Sequence, residues 1–597
     1  IPPRVTEDIL AYLVLVVGML GVFLALDLLL VYVFWEVVLV PMYHIIGIWG
    51  GANRIYATFK FVIYTLVGSL LMLIAILALA WTYQGQQGGD WTGAFDYEML
   101  VGAGFDPTLQ FWAFLGFFLA FAISLVALVI SVLVAFSFDN DRAGFQLVQD
   151  VDWIGFFGIQ YKVGVDGISL VLILLTTLLT SISILASFGP IKTRVKEYMI
   201  AFLVLEVGML GVFLSLDLFL FYVFWEVVLV PMYLIIGIWG GANRIYATIK
   251  FVIYTLVGSL LMLVAILAIA WTYSQETGSW VGAFDYTELI KFGFDPTLQF
   301  WAFLGFFLAF AIKIPMWPFH TWLPDAHTEA PTAGSVILAG VLLKLGGYGL
   351  IRLNLPLFPD ATVDLAPFII ALSIIGMLYG AVVAIRQPDL KRLIAYSSVS
   401  HMGFVTLGIF VLNEQGVQGA IFQMVAHGII TGALFLLVGV IYERTHDRTI
   451  AKMSGLGQTV PVFATLMVFF SLASAGLPGL AGFVGEFLVL LGAVSYEAWV
   501  GYVAAFTIIF AAVYLLYMVQ NIIMGDVTDF LKGLGDKLTD VNRMEIATLA
   551  PLVVLAVLLG LVPALVLDLT QVPVEVVLSI VESAADTAAE TSAELLP

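Results

Sequence analysis

The sequence predicts an all-α, polytopic membrane protein, and three observations carry that prediction. Of its 597 residues, 62% are hydrophobic and only 11% charged, whereas a soluble domain carries about 25% charged residues. Mean hydropathy is +1.09. Apolar runs near the bilayer-crossing length of about 20 residues recur along the whole chain.

Those runs fall at 9–26, 28–49, 56–83, 111–137, 166–188, 199–216, 218–239, 246–273, 298–318, 333–353, 364–385, 391–412, 417–442, 459–491, 497–524 and 546–568. They predict about sixteen transmembrane helices, with the long run at 459–491 a candidate for a break. Orientation follows from the cations. From 166–188 onward, alternate loops hold Lys192, Arg194, Lys196; Arg244, Lys250; Arg386, Lys391, Arg392; Arg444, Arg448, Lys452; and Lys532, Lys537, Arg543. The intervening loops hold Lys291 and Arg352 alone. The cation-rich side is therefore the cytoplasmic one. The net charge of −19 concentrates in loops and in 576–597, an acidic tail expected to be solvated or loosely helical on the outer side.

Composition excludes chemistry as well. Cysteine is absent, so this chain makes no disulfide, cysteine-ligated Fe–S cluster, zinc–thiolate site or covalent haem attachment. No nucleophile triad, nucleotide fold, metal cluster or nucleic-acid-binding pattern is visible. The glycines of IWGGANR and LKLGGYG lack a preceding strand and phosphate-loop spacing, and read as packing residues. The start, IPPRVTEDIL, has neither Met nor a cationic leader, and the expectation is a fragment at that end.

The chain repeats itself. Residues 11–83 match 201–273 with nine differences in 73 positions, and the likeness resumes at GAFDY and runs to Ile123. It stops where the second copy has Lys313 and the first has Ser124. Helix parity places Arg54 and Lys60 outside, although their twins Arg244 and Lys250 lie inside. A genuine partial duplication and a gene-model or assembly join both explain the block, and the join is the favoured reading.

Function is read from charges inside apolar runs. Lys313 is followed by Pro315 and Pro318, then by His320 and His327, and a second lysine, Lys344, lies in the next run. A cation in hydrocarbon costs several kcal/mol unless paired, hydrated or able to lose its proton. Prolines beside it break the helix and open a polar site. Glu206, Asp217, Glu226, His401, His427 and Glu486 add acids and imidazoles on further helices, which makes a proton relay the functional hypothesis. In it Glu226 pairs with Lys313, and Lys344 passes protons toward Glu486 by way of His401 and His427. The bland alternatives are structural ion pairs for the acids and lysines and packing roles for His401 and His427. His320 and His327, at the cytoplasmic mouth, could be caps or surface groups. Capping is the expected role of Asp217, and Glu206 stays open, its twin being Val16.

The motifs VFWEVVLVPMYLIIGIWGG, AFAIKIPMWPFHTWLPDAHTEAPTAGSVILAGVLLKLGGYG, DLKRLIAYSSVSHMG, QMVAHGIITGALFLLVGVIYER and GLPGLAGFVGEFLVL resemble the antiporter-like chain M family of bacterial respiratory complex I, chain 4 in mitochondria and plastids. The resemblance covers about 124–570. It implies fourteen helices with two inverted five-helix repeats, each with a broken helix, here around Pro315 and around Pro478–Gly479. It implies 124–575 as the antiporter-like proton-translocating domain, after 1–123 as a partial duplicate of 201–312 and before the acidic tail. Position by position, the family's essential glutamate corresponds to Glu226, its paired lysine to Lys313, the central lysine to Lys344, the axis histidines to His401 and His427, and the terminal glutamate to Glu486. A glutamate rather than a lysine at that last position argues for chain M over chain L.

The implied function is proton translocation within NADH–quinone oxidoreductase. NADH, FMN, Fe–S clusters and quinone would be held by partner subunits, and this chain would carry no cofactor. The implied partners are other membrane subunits, with chains L and N as neighbours, and lipid; the implied location is the inner membrane of a bacterium. The alternative is a subunit of a multisubunit Na⁺/H⁺ antiporter. The family's first helix is missing here, apparently replaced by the copied block. Glu36 repeats Glu226 without a Lys313 equivalent, and is expected not to form a second proton channel.

Overall fold

In a computed structural model of the chain, the structure describes residues 107–594, with side chains from 120 to 583. Glu36, Arg54, Lys60 and most of the copied block lie outside the described residues. Helix starts follow aspartates. Asp166, Asp217, Asp285, Asp295 and Asp389 each accept a backbone N–H at the head of a helix, the capping role that short acidic side chains fill best. At Asp166 the cap is reciprocal, since Ser169 returns a hydrogen bond to the Asp166 backbone.

The order is α1 (Pro107–Ser137), a hairpin of β1 (Gln146–Ile154) and β2 (Ile159–Val165), then α2 (Gly167–Ser187) and α3 (Val195–Leu214). Next come α4 (Leu218–Trp239), interrupted at Val228, and α5 (Arg244–Thr277). After them stand α6 (Pro296–Lys313), the short α7 (Trp322–Glu329) and α8 (Thr332–Leu357). The second half is α9 (Pro359–Ile385), α10 (Leu390–Phe410), α11 (Glu414–Thr445), α12 (Pro461–Ser474), α13 (Ala481–Tyr496), α14 (Ala498–Ile523), α15 (Arg543–Leu561) and α16 (Ala564–Glu594).

Among the described residues thirteen helices are long and apolar enough to cross a membrane. All-α therefore holds apart from one antiparallel hairpin, in register at Asp150 with Lys162 and Val151 with Tyr161. Helices fill the expected runs from 111–137 to 546–568, and the run at 459–491 divides into α12 and α13 around Pro478 and Gly479. The other break is at 314–321, between α6 and α7. Both lie where prolines remove backbone donors. The core sits on α8 and α11, whose most apolar stretches are wholly buried, while α1 turns Ile123, Val126, Ile130 and Leu133 outward.

Three expectations need correction. Of the two states expected for the tail, its start takes the helical one and is not solvated: α16 buries Val574 just before it and Val577, Leu578 and Val581 within it, a 3.6-period stripe that the acidic residues after it mask in the composition. Lys391 is not a loop charge, because it is 3% exposed and donates to the Ala330 carbonyl at 2.7 Å. Arg352 is not one either, since it is buried inside α8 in an ion pair with Asp166.

Helix α16 packs against Gly167, where a Cβ would collide with the Leu569 carbonyl. Gly167→Ala is accordingly expected to push α16 off the bundle. Limited proteolysis of membranes checks this, with faster cleavage near residue 569 the expected result and an unchanged digestion pattern the contrary one.

Candidate proton-relay site

Lys344 lies at the centre of the bundle, fully buried. Two π-helical stretches, Leu338–Leu342 and Leu350–Asn354, flank it in α8. Such stretches displace backbone carbonyls from the i→i−4 ladder and gather at functional sites. One of these carbonyls, Ala339 O, accepts from Lys344 Nζ at 2.6 Å. The same ammonium lies 2.7 Å from His427 Nδ1 on α11. Lys344 donates to both, so in a neutral imidazole the His427 hydrogen is on Nε2.

Among the described residues His427 Nε2 has no hydrogen-bond partner. It belongs to a residue that lines a small cavity with His401, Gln423, Thr431, Ser474 and Glu486. The cavity has room for about one water. On its far side His401 Nδ1 is 2.9 Å from Glu486 Oε1, and His401 Nε2 is 3.1 Å from the Tyr514 hydroxyl and 3.3 Å from Ser474 Oγ. Gln423 Nε2 donates to the same Glu486 oxygen at 3.3 Å. The two imidazoles stand with ring centroids 5.8 Å apart. Lys344, His427, His401 and Glu486 thus form one chain of contacts across α8, α11, α10 and α13, with His427 next to the lysine and His401 next to the glutamate.

Glu226 and Lys313 are arranged differently. Lys313 ends α6, where the unpaired carbonyls of the helix end favour a cation. Its Nζ stands 5.2 Å from the Trp225 ring centroid and 5.8 Å from that of Phe251, within the range of cation–π attraction. Glu226 Oε1 is buried without a hydrogen-bond partner among the described residues. Among the described residues no ion pair joins the two, although the Glu226 charge is within Coulombic reach of Lys313. The expected contact pair is open in this structure, and the Lys313 ammonium meets the Trp225 and Phe251 rings instead.

The secondary candidates scatter. Asp217 caps α4 through Phe219 and Leu220 N–H and also accepts from Gln160 N–H in the hairpin. Burial pushes its carboxyl up to about 6, but it sits at the hairpin end of the helices, apart from Lys344. His320 and His327 are not surface groups: they are 2% and 0% exposed, and all four ring nitrogens lack hydrogen-bond partners among the described residues. His327 stacks on Phe435 at 4.5 Å, and His320 meets Tyr379 edge-on at 4.9 Å. Proline spacing read as a surface loop, whereas the connection folds inward beneath α10. Glu206 is buried among hydroxyls on α1 and α2.

Sequence reasoning missed Gln423, Tyr514 and Ser474, which tie His401 and Glu486 in place, and the Arg352–Asp166 pair. Polar side chains in apolar runs were the available signal, but only the charged ones stand out against so many buried hydroxyls. Near the first break Lys250 pairs with Asp325 at 2.8 Å, and Arg392 approaches the same carboxylate at 3.3 Å, which ties α5 and α10 to α7.

Residues 25–134 and 215–511 match the NADH:quinone oxidoreductase/Mrp antiporter transmembrane family. The chain belongs to this family. The two matched segments begin 190 residues apart, the offset of the internal repeat. Among relatives of this antiporter-family chain, NADH-quinone oxidoreductase subunit M of Rhodobacter capsulatus is 50% identical over 464 residues, 75% of this chain and 88% of that one. The subunit M of Rickettsia prowazekii is 44% identical over 467 residues, 77% and 92% of the two chains. In the solved respiratory complex I from Thermus thermophilus, one chain is 31% identical with a TM-score of 0.68, covering 78% of this chain and 99% of that one. A chain of the Mrp complex from Dietzia has the same TM-score at 21% identity over 79% and 94%, a likeness of fold alone. The resemblance drawn from the motifs to the complex I chain M family is borne out.

Proposed function

We propose that this chain is a proton-translocating membrane subunit of a bacterial NADH–quinone oxidoreductase, of subunit M type, working beside other antiporter-like subunits such as chains L and N. Redox energy released in partner subunits drives it, and NADH, flavin, Fe–S clusters and quinone are bound there. The observation that carries this reading is the run of contacts from Lys344 through His427 and His401 to Glu486, built around a cavity of one-water size. Likeness to subunit M chains at 50% and 44% identity favours this complex over a cation/proton antiporter.

The chemistry follows from the tautomers. A proton leaves Lys344 Nζ for His427 Nδ1 while the Nε2 proton departs into the cavity. A water there passes it to His401 Nε2, and His401 Nδ1 releases a proton to the Glu486 carboxylate, so both imidazoles end neutral but in the opposite tautomer, and a ring flip or a return proton exchange resets them. On the other side of Lys344, the charge on Glu226 sets how firmly Lys313 holds its own proton, since an opposite charge favours the ammonium and burial opposes it. Closing or opening the Glu226–Lys313 gap is then the step that communicates with a neighbouring subunit.

The test is a purified complex in sealed vesicles, driven by NADH and quinone, with internal acidification recorded. Lys313→Ala is expected to cut acidification at least about tenfold, the kinetic equivalent of about 1.4 kcal/mol, with the complex still assembled. Acidification at the wild-type rate in that variant would leave the chain a structural scaffold.

A further inference from the structure

We infer that Glu206 is a proton-binding site separate from the Lys344–Glu486 chain, served by a seam of hydroxyls between α1 and α2. Glu206 lies midway along α3 and is 3% exposed. Its Oε1 accepts from Ser124 Oγ on α1 at 3.1 Å, and that hydroxyl is 3.0 Å from Ser181 Oγ on α2. All three side chains are buried. Toward the hairpin end of the same interface Ser131 Oγ pairs with Thr177 Oγ1 at 2.9 Å, both again buried.

Charge decides what this cluster can do. Among the described residues no cation lies within ion-pair distance of Glu206. The titratable side chains on the elements packed around α3 are Lys162 and Tyr161 on β2, Tyr222, Glu226 and Tyr233 on α4, and Lys344 and Tyr348 on α8, while α1 and α2 meet Glu206 with hydroxyls. A carboxylate at this depth without a counter-cation is strongly disfavoured, and taking a proton relieves it. Hydroxyls suit both states, since they donate to the ionised group and accept from the acid. In the binding step a Glu206 oxygen takes a proton from hydronium and one water is released. The Ser124–Ser181 and Ser131–Thr177 pairs line the route toward the outer side, on the α1 face of the bundle, whereas Lys344 and His427 face each other between α8 and α11. This site goes beyond the relay and does not rest on it.

The test is an equilibrium titration of the whole complex at rest, without NADH, by infrared spectroscopy. The difference between wild type and Glu206→Gln isolates the Glu206 carboxyl. The expected result is a carboxylic C=O band at acid pH that gives way to carboxylate bands as pH rises, with the band displaced in Ser124→Ala. A band of constant size at every pH would mean a permanently neutral interhelical hydrogen bond and overturn the proposal, as would carboxylate bands throughout. Should Glu206→Gln not assemble, wild-type complex is treated with dicyclohexylcarbodiimide, which labels protonated carboxyls in apolar surroundings, and Glu206 is followed by peptide mass mapping. Labelling that falls as pH rises supports the site, and labelling that is absent or pH-independent overturns it.

Discussion

Lys344→Ala is expected to abolish proton translocation in reconstituted vesicles while leaving the complex assembled. The substitution removes the group that bonds Ala339 O and His427 Nδ1, and His427 then has no partner on either nitrogen. Lys344→Arg separates charge from proton transfer. Arginine keeps the cation but does not give up its proton in proteins, so it too is expected to fail, with acidification at least about tenfold below wild type, about 1.4 kcal/mol or more in barrier. Native electrophoresis of the membranes verifies assembly. Pumping within twofold of wild type in both variants would remove Lys344 from the path, and recovery in Lys344→Arg alone would make its charge, not its proton, the requirement.

Asp166→Asn is expected to have the largest effect on stability. Asp166 pairs with Arg352, whose guanidinium also lies 4.9 Å from the Phe145 ring, 5.6 Å from Tyr348 and 5.8 Å from Tyr286. The asparagine keeps the helix cap over Ser169 but leaves a buried cation whose remaining neighbours are aromatic faces. Removing one partner of a buried pair costs about 3–5 kcal/mol, whereas replacing both can be nearly neutral. The midpoint of heat-induced loss of assembled complex should therefore fall sharply in Asp166→Asn and recover in part in Asp166→Asn/Arg352→Met. An unchanged midpoint in the single variant, or a double variant worse than the single, would show that the pair does not hold the hairpin to α8.

Much of the candidate site was legible in the sequence. Lys344, His401, His427 and Glu486 stand out because ionisable groups are costly in apolar runs, and prolines marked both helix breaks. What could not be read was which partner each would find. The order His427 to lysine and His401 to glutamate depends on how α10, α11 and α13 cross, and the open Glu226–Lys313 gap depends on how α4 and α6 meet, which sets Trp225 rather than Glu226 against the lysine. Cation counting misjudged Lys391 and Arg352 for a related reason. It weighs a charge by its place along the chain, while folding carried both into the interior, where a carbonyl and a carboxylate meet them.

The sequence by itself determined that the chain is an assembly of membrane helices, where most begin and end, and which side carries the cations. These are local quantities, set by hydropathy over about 20 residues, by aspartate caps and by proline. The tertiary structure alone decided that a one-water cavity separates two imidazoles, that His320 and His327 are buried against aromatic rings without hydrogen-bond partners among the described residues, that α16 is packed from Val574 to Val581, and that Glu206 meets hydroxyls instead of a cation. Each depends on groups brought together from helices far apart in the chain, and the energy of a buried charge is set by those neighbours and not by its own segment.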